Sequence, residues 1–128
     1  MAEVVILLHL IIHKYSHVPK PIIRGDSRNI STYSAIYPAL YGICELILEN
    51  SDRDTELDIE IDNTCITITS DSIDFCTILY YDDLKDSEHE QIQHIRSCMC
   101  IDILEDSGIN VEINNNELKL NYKDVENE

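Results

Sequence analysis

The first long apolar stretch, Val4–Ile12, is broken only by His9. A run in which nearly every residue is apolar fits a strand covered on both faces, so a first strand is predicted over Val4–His13. Lys14–Pro21 reads as a connection, because Pro19 and Pro21 block regular structure. Ile22-Ile23 reads as a short strand ended by Gly25. Asp26 or Ser27 then offers an N-cap for a helix running to about Asn50. Ile30, Tyr33, Tyr37, Leu40, Tyr41, Cys44, Ile47 and Leu48 recur at steps of three and four, marking its buried face. Pro38 either kinks this helix or marks a restart with proline near the first turn.

Beyond Asp52–Asp54 the period changes. Leu57, Ile59 and Ile61 alternate with Asp58, Glu60 and Asp62, the pattern of a half-buried strand. Asp62-Asn63-Thr64 has hairpin-turn chemistry, and Cys65–Thr69 pairs back. Ile73–Tyr81 reads as a further strand and Tyr81–Glu88 as an acidic loop. Ser87-Glu88-His89-Glu90 has the form of a capping box and opens a second helix. Its apolar stripe is Ile92, Ile95, Met99 and Ile103, flanked by Cys98 and Leu104 and ended by Gly108. Val111, Ile113, the turn Asn114–Asn116, Leu118 and Leu120 make a last hairpin. The whole predicts one α+β domain over residues 1–122, a two-layer sandwich with a mixed or antiparallel sheet and helices on one face. Residues 123–128 form an acidic tail.

Composition narrows the function. The chain has 128 residues, 44% hydrophobic and 27% charged, as a globular domain does. Nine Lys and Arg against 25 Asp and Glu give a net charge of -16. Such a polyanion is repelled by nucleic acid and by anionic membranes, so neither is expected as a direct partner. The charge is skewed. Residues 1–44 hold two acids and four bases, and residues 45–128 hold 23 acids and five bases. The skew fits either a solvated acidic face or a docking face for a basic partner. Cys44, Cys65, Cys76, Cys98 and Cys100 are odd in number, and four of them sit in apolar runs. They read as reduced thiols, which implies the cytoplasm or another reducing compartment. The apolar run at the start is far short of the roughly 20 residues a membrane helix needs.

Arg24-Gly25-Asp26 matches the adhesion tripeptide, yet a strand-to-helix turn explains the same residues. His94, Cys98 and Cys100 lack a second Cys/His pair to complete a metal site. His9, His13 and His17 recur every four residues, but a strand would make His9 a core residue. No catalytic residue, metal or cofactor is assigned on these grounds.

From Pro21 to Tyr122 the chain resembles the ATP-binding domain of sensor histidine kinases, the superfamily shared with DNA gyrase and the MutL repair proteins. Ile22–Arg28 resembles the segment leading into that family's first nucleotide helix. Glu45-Leu46-Ile47-Leu48-Glu49-Asn50-Ser51 resembles its N-box, which makes Asn50 the counterpart of the magnesium-coordinating asparagine. The hairpin Leu57–Thr69 leads to Asp71, in the place of the adenine-reading aspartate. Cys98–Gly108 followed by Val111–Tyr122 resembles the family's last helix and closing hairpin. The resemblance implies nucleotide binding at Asn50 and Asp71. Against this, Ser72, Ile73 and Asp74 follow Asp71 where the family needs Asp-x-Gly-x-Gly, and Gly25, Gly42 and Gly108 are the only glycines. Loss of nucleotide chemistry is the expectation.

The first reading is therefore a non-catalytic protein-interaction domain, a regulator or a small subunit of a larger assembly. Tyr80 and Tyr81 supply an apolar patch, and Asp82, Asp83, Asp86 and Glu88 steer a basic protein partner. The alternatives are an acidic, nucleic-acid-mimicking inhibitor and a nucleotide-binding enzyme of the kinase-ATPase type.

Overall fold

The computed structural model describes residues 3–15, 17–25, 36–79 and 88–122. In chain order their elements are α1 (Glu3–Lys14), β1 (Ile22–Gly25), α2 (Ile36–Glu49), β2 (Asp58–Ile61), β3 (Cys65–Thr69), α3 (Phe75–Leu79), α4 (Glu88–Asp106), β4 (Asn110–Ile113) and β5 (Glu117–Asn121). The fold is α+β, with a five-stranded mixed sheet in the order β1-β2-β3-β5-β4. β1 runs parallel to β2, and the remaining pairs are antiparallel.

The sheet follows from the alternation. Register aligns Ile23, Ile59, Ile68, Leu118 and Ile113 in one row, and Ile61, Ile66, Leu120 and Val111 in the next row of the same face. In β2, β3 and β5 every one of these side chains is buried. The opposite face carries Arg24, Glu60, Thr67, Lys119 and Glu112, all exposed or half-buried. At the parallel edge, Arg24 donates to both oxygens of Asp58 at 2.8 Å. The turn after β2 is held by Asp62, whose Oδ1 accepts from the Thr64 and Cys65 amides at 2.7 and 2.8 Å. Those amides, foremost Thr64, hold the Asp62 carboxyl below the usual carboxylate range.

Two expected strands are helices. The first, Val4–His13, is α1. Leu8, Ile11, Ile12 and Tyr15 pack on the core, while His9, Leu10, His13 and Lys14 face outward, which is a period of 3.6. Leu10, 66% exposed, places an apolar residue on the outer face and hides that period in the sequence. His9 is therefore exposed and not a core residue. The second is Ile73–Tyr81, of which Phe75–Leu79 is α3. Asp74 caps it, its Oδ1 accepting from the Cys76 amide at 3.0 Å. Phe75 and Leu79, one turn apart, are fully buried.

α2 follows the expected face, with Leu40, Cys44, Ile47 and Leu48 buried and Tyr37 and Tyr41 packed against them. Ile43 and Leu46 are buried as well, so the helix is enclosed on more than one side. Pro38 is the third residue of α2, in its first turn, and the residues before Ile36 that would separate a kink from a restart lie outside the described residues. The caps Asp26 and Ser27, together with Ile30 and Tyr33, lie outside the described residues, as does the tail 123–128. α4 ends in a Schellman motif: Ile109 N donates to Leu104 O at 2.9 Å and Gly108 N to Glu105 O at 3.0 Å, with Gly108 at φ +92°. Leu104 and Ile109 are both buried, the apolar contact that accompanies this cap.

One ionic cluster ties three helical segments. Glu45 of α2 accepts from Lys14 Nζ at 2.6 Å, Tyr15 OH at 3.1 Å and Arg96 Nη2 at 3.2 Å, and Arg96 also reaches Glu49 at 3.1 Å. The Lys14 ammonium holds the Glu45 carboxyl below the usual carboxylate range, against the opposing effect of burial. Because the folded pKa is depressed, the stabilisation is present above the unfolded value of about 4.3 and is lost as pH falls through the folded value. Glu45→Gln should thus lower stability by about 1 kcal/mol at neutral pH. Urea denaturation should show the difference shrinking in strong acid; an unchanged gap would mean the contact is not ionic.

Candidate functional site

α4 is apolar on two opposite sides. Its inner side holds Ser97 and Leu104, both fully buried, with Cys100 and Ile101 half-buried beside them. Its outer side holds Ile92 (50% exposed), Ile95 (55%), Met99 (59%) and Ile103 (39%). At about 100° per residue these four fall within roughly 80° of arc, opposite Ser97 and Leu104. The stripe expected to face the core thus faces solvent; of its expected flanks, Leu104 is buried and Cys98 half-buried. The reason is a polar residue at the centre of the packed side. Ser97 Oγ donates to the carbonyl of Leu79, the last residue of α3, at 2.5 Å, so a small hydroxyl residue docks where a large apolar one was expected. Single exposed apolar residues are ordinary, but a contiguous row of four along one helix is not.

The C-terminal end of this row is acidic. Asp102, Glu105 and Asp106 are exposed at its C-terminal end. Arg96, the one lysine or arginine of α4, is engaged by Glu45 and Glu49. Glu88 is the first residue of α4. Tyr80, Tyr81, Asp82, Asp83 and Asp86, expected to form the docking patch, lie outside the described residues.

The two nucleotide candidates stand apart in their contacts. Asn50 Nδ2 donates to the carbonyl of Leu46 at 2.7 Å and so caps the end of its own helix. Asp71 is exposed in the loop after β3, which Asn116 clamps through its Nδ2 to Ser70 O at 3.0 Å and Ile73 O at 3.3 Å. Asp71 lines two open depressions, one shared with Glu56 and Asp58 and the other with Asn114–Glu117. Asn50 lines neither. Asp58 is paired with Arg24, and the Glu56 and Asp71 carboxylates around the first depression oppose a phosphate. Where the resemblance calls for glycines, Asp74 instead caps α3.

The remaining chemistry is modest. Cys44 and Cys65 are buried, and Cys76, Cys98 and Cys100 half-buried; all five are free thiols. Burial, with Cys100 nearby, pushes the Cys44 thiol up to about 12, so it stays neutral and unreactive. Cys98 Sγ approaches the His94 ring nitrogens at 3.6 and 3.7 Å across one helical turn. Among the described residues no group of three or more His, Cys, Asp and Glu side chains is placed to hold a metal ion. Also among them, no helix is long and apolar enough to cross a membrane. No protein-family model matches the chain, and no curated protein matches it.

Proposed function

We propose that this chain is a non-catalytic protein-interaction domain, a regulator or small subunit of a larger assembly, and that the outer face of α4 is its docking surface. The observation that carries the reading is the solvent-facing row Ile92, Ile95, Met99 and Ile103. Exposing four large apolar side chains is unfavourable unless a partner covers them. The acidic stretch Asp82, Asp83, Asp86 and Glu88, with Tyr80 and Tyr81, immediately precedes this face in the chain and belongs to the same reading as a steering element. The partner is a protein with a basic surface. The free thiols fit a reducing compartment, the cytoplasm being the simplest.

The kinase-ATPase resemblance is one of element order and short motifs. From Pro21 onward the described elements run β1, α2, β2, β3, α3, α4, β4, β5, with α3 inserted after the hairpin that leads to Asp71. Its nucleotide chemistry is absent from the reading because the Asn50 amide is spent on Leu46 O and Asp71 sits among acids. An acidic mimic of nucleic acid would bind through its carboxylates, and the apolar row on α4 has no counterpart on a phosphate backbone.

Two measurements test the proposal. Mg-ATP at millimolar concentration should leave the amide resonances of Asn50 and Asp71 unmoved; saturable shifts at both would make this a nucleotide-binding protein. A partner captured from the source cell by the parent chain, and rebound in purified form, should lose at least about tenfold in affinity for the Ile95→Asp, Met99→Asp variant. Full retention would refute the docking face.

A further inference from the structure

We infer that His9 and His13, on the outer side of α1, form a two-ligand site for a divalent d-block cation, Zn2+ above all. The pair stands on a different helix from the docking face, and neither depends on the other.

The histidine repeat changes meaning once Val4–His13 is a helix. In a strand, residues four apart lie about 13 Å from one another. In a helix they stack one turn apart, with Cβ atoms about 5–6 Å from each other. His9 and His13 both lie within α1, and both are exposed. At about 100° per residue they differ by roughly 40° around the axis. Leu8 and Ile11, each 1% exposed, carry the packed side, so the two imidazoles share the solvent side. His17, third in the repeat, comes after α1 has ended at Lys14, and its ring packs edge-on against Tyr15 with centroids 6.2 Å apart. One helix face thus holds two ligands.

Imidazole suits Zn2+, Cu2+ and Ni2+, whereas Mg2+ and Ca2+ take oxygen ligands. Two imidazoles one helical turn apart can reach a single ion through Zn–N bonds of about 2.0–2.1 Å. Histidines at this spacing on a helix supply two of the ligands in zinc proteases. Water fills the remaining positions here. Zn2+ is assigned because it has no redox chemistry with the free thiols of the chain. The surroundings favour a cation. His13 stands in the last turn of α1, where the helix dipole is negative. The ammonium of Lys14, the next residue, is engaged by Glu45 at 2.6 Å. The whole chain carries -16, which draws dications to it. An ion bridging residues 9 and 13 also ties a turn of α1 against unwinding.

The test uses the full chain, without added histidines and with its thiols reduced, and Zn2+ alone as the probe. Histidine-ring spectra follow each imidazole separately. The His9 and His13 signals should shift along one saturation curve, half complete at about 0.1 mM zinc or below. Mg2+ at about tenfold higher concentration should leave both in place. Zinc should slow amide exchange over residues 9–14. His13→Asn should weaken the response of His9 at least about tenfold, and His9→Asn that of His13. Both positions are exposed, so both variants fold. Cys98 of α4, whose Sγ lies 3.6 and 3.7 Å from the His94 ring nitrogens, is the competing zinc ligand. Cys98→Ser should leave the His9 and His13 shifts unchanged.

A His9 response that survives in His13→Asn would show two separate histidines and no chelate, and would overturn the inference. Half-saturation above about 0.1 mM or equal shifts with Mg2+ would overturn it as well. Loss of the shifts in Cys98→Ser would place the ion on α4 and have the same consequence.

Discussion

Leu104→Asp should unfold the domain, while Met99→Asp, five residues earlier on the same helix, should leave its stability within about 1 kcal/mol of the parent. Leu104 is fully buried, and its carbonyl anchors the Schellman cap through Ile109 N at 2.9 Å. An aspartate there would lose the leucine's burial and place a carboxylate in the apolar core, a loss of about 4 kcal/mol or more. Met99 is 59% exposed, so an aspartate there keeps its hydration. Urea denaturation of the two variants reads the difference directly. Comparable losses at both positions would mean that α4 is packed on its outer side as well. A lost midpoint for Leu104→Asp alone separates the side that holds the fold from the side left for a partner.

Gly25→Ala should be the most damaging conservative change in the sheet. Gly25 ends β1 at φ +84°, where an L side chain is strained, and it pairs with Ile61 in the parallel ladder. A Cβ at this position would overlap the Ile61 carbonyl oxygen and stand 3.1 Å from its carbon. Ile61 cannot yield, because it is 2% exposed and held from the other side by Ile66 of β3. Left-handed strain of about 1 kcal/mol and a backbone overlap together should cost about 3 kcal/mol. The Arg24–Asp58 pair, one residue away, should loosen with it. Stability within about 0.5 kcal/mol of the parent would contradict the β1–β2 pairing. The glycine of the Arg-Gly-Asp tripeptide is thus fixed by backbone geometry, with no ligand needed to explain it.

Elements whose two faces differ in polarity could be read from the sequence. β2, β3 and the closing hairpin alternate strictly, and register and burial both follow that alternation. Gly108 marks the end of α4 because only a left-handed residue completes the cap. α1 was hidden because Leu10 makes its outer face apolar, which turns a helical period into an unbroken run. α3 is so short that Phe75 and Leu79 give one repeat of the helical spacing, and Asp74 was its sole sequence mark. The α4 row illustrates a deeper limit. Periodicity shows that Ile92, Ile95, Met99 and Ile103 share a face, but tertiary contacts decide which face is covered. The hydroxyl of Ser97 is satisfied by a carbonyl at the end of α3, 18 residues earlier in the chain, and no pattern within α4 carries that information. For the same reason the candidate site emerged from a mismatch between pattern and burial, and not from the acidic loop or from the Asn50 and Asp71 motifs.

In the isolated chain the row on α4 is open to solvent. Methyl relaxation with a soluble paramagnetic cosolute measures this side chain by side chain. The Ile92, Ile95, Met99 and Ile103 methyls should relax strongly, and those of Leu104, Ile66 and Ile68 should be protected. Protection of the first set equal to that of Leu104 would show the row covered within the chain itself and would contradict the docking face.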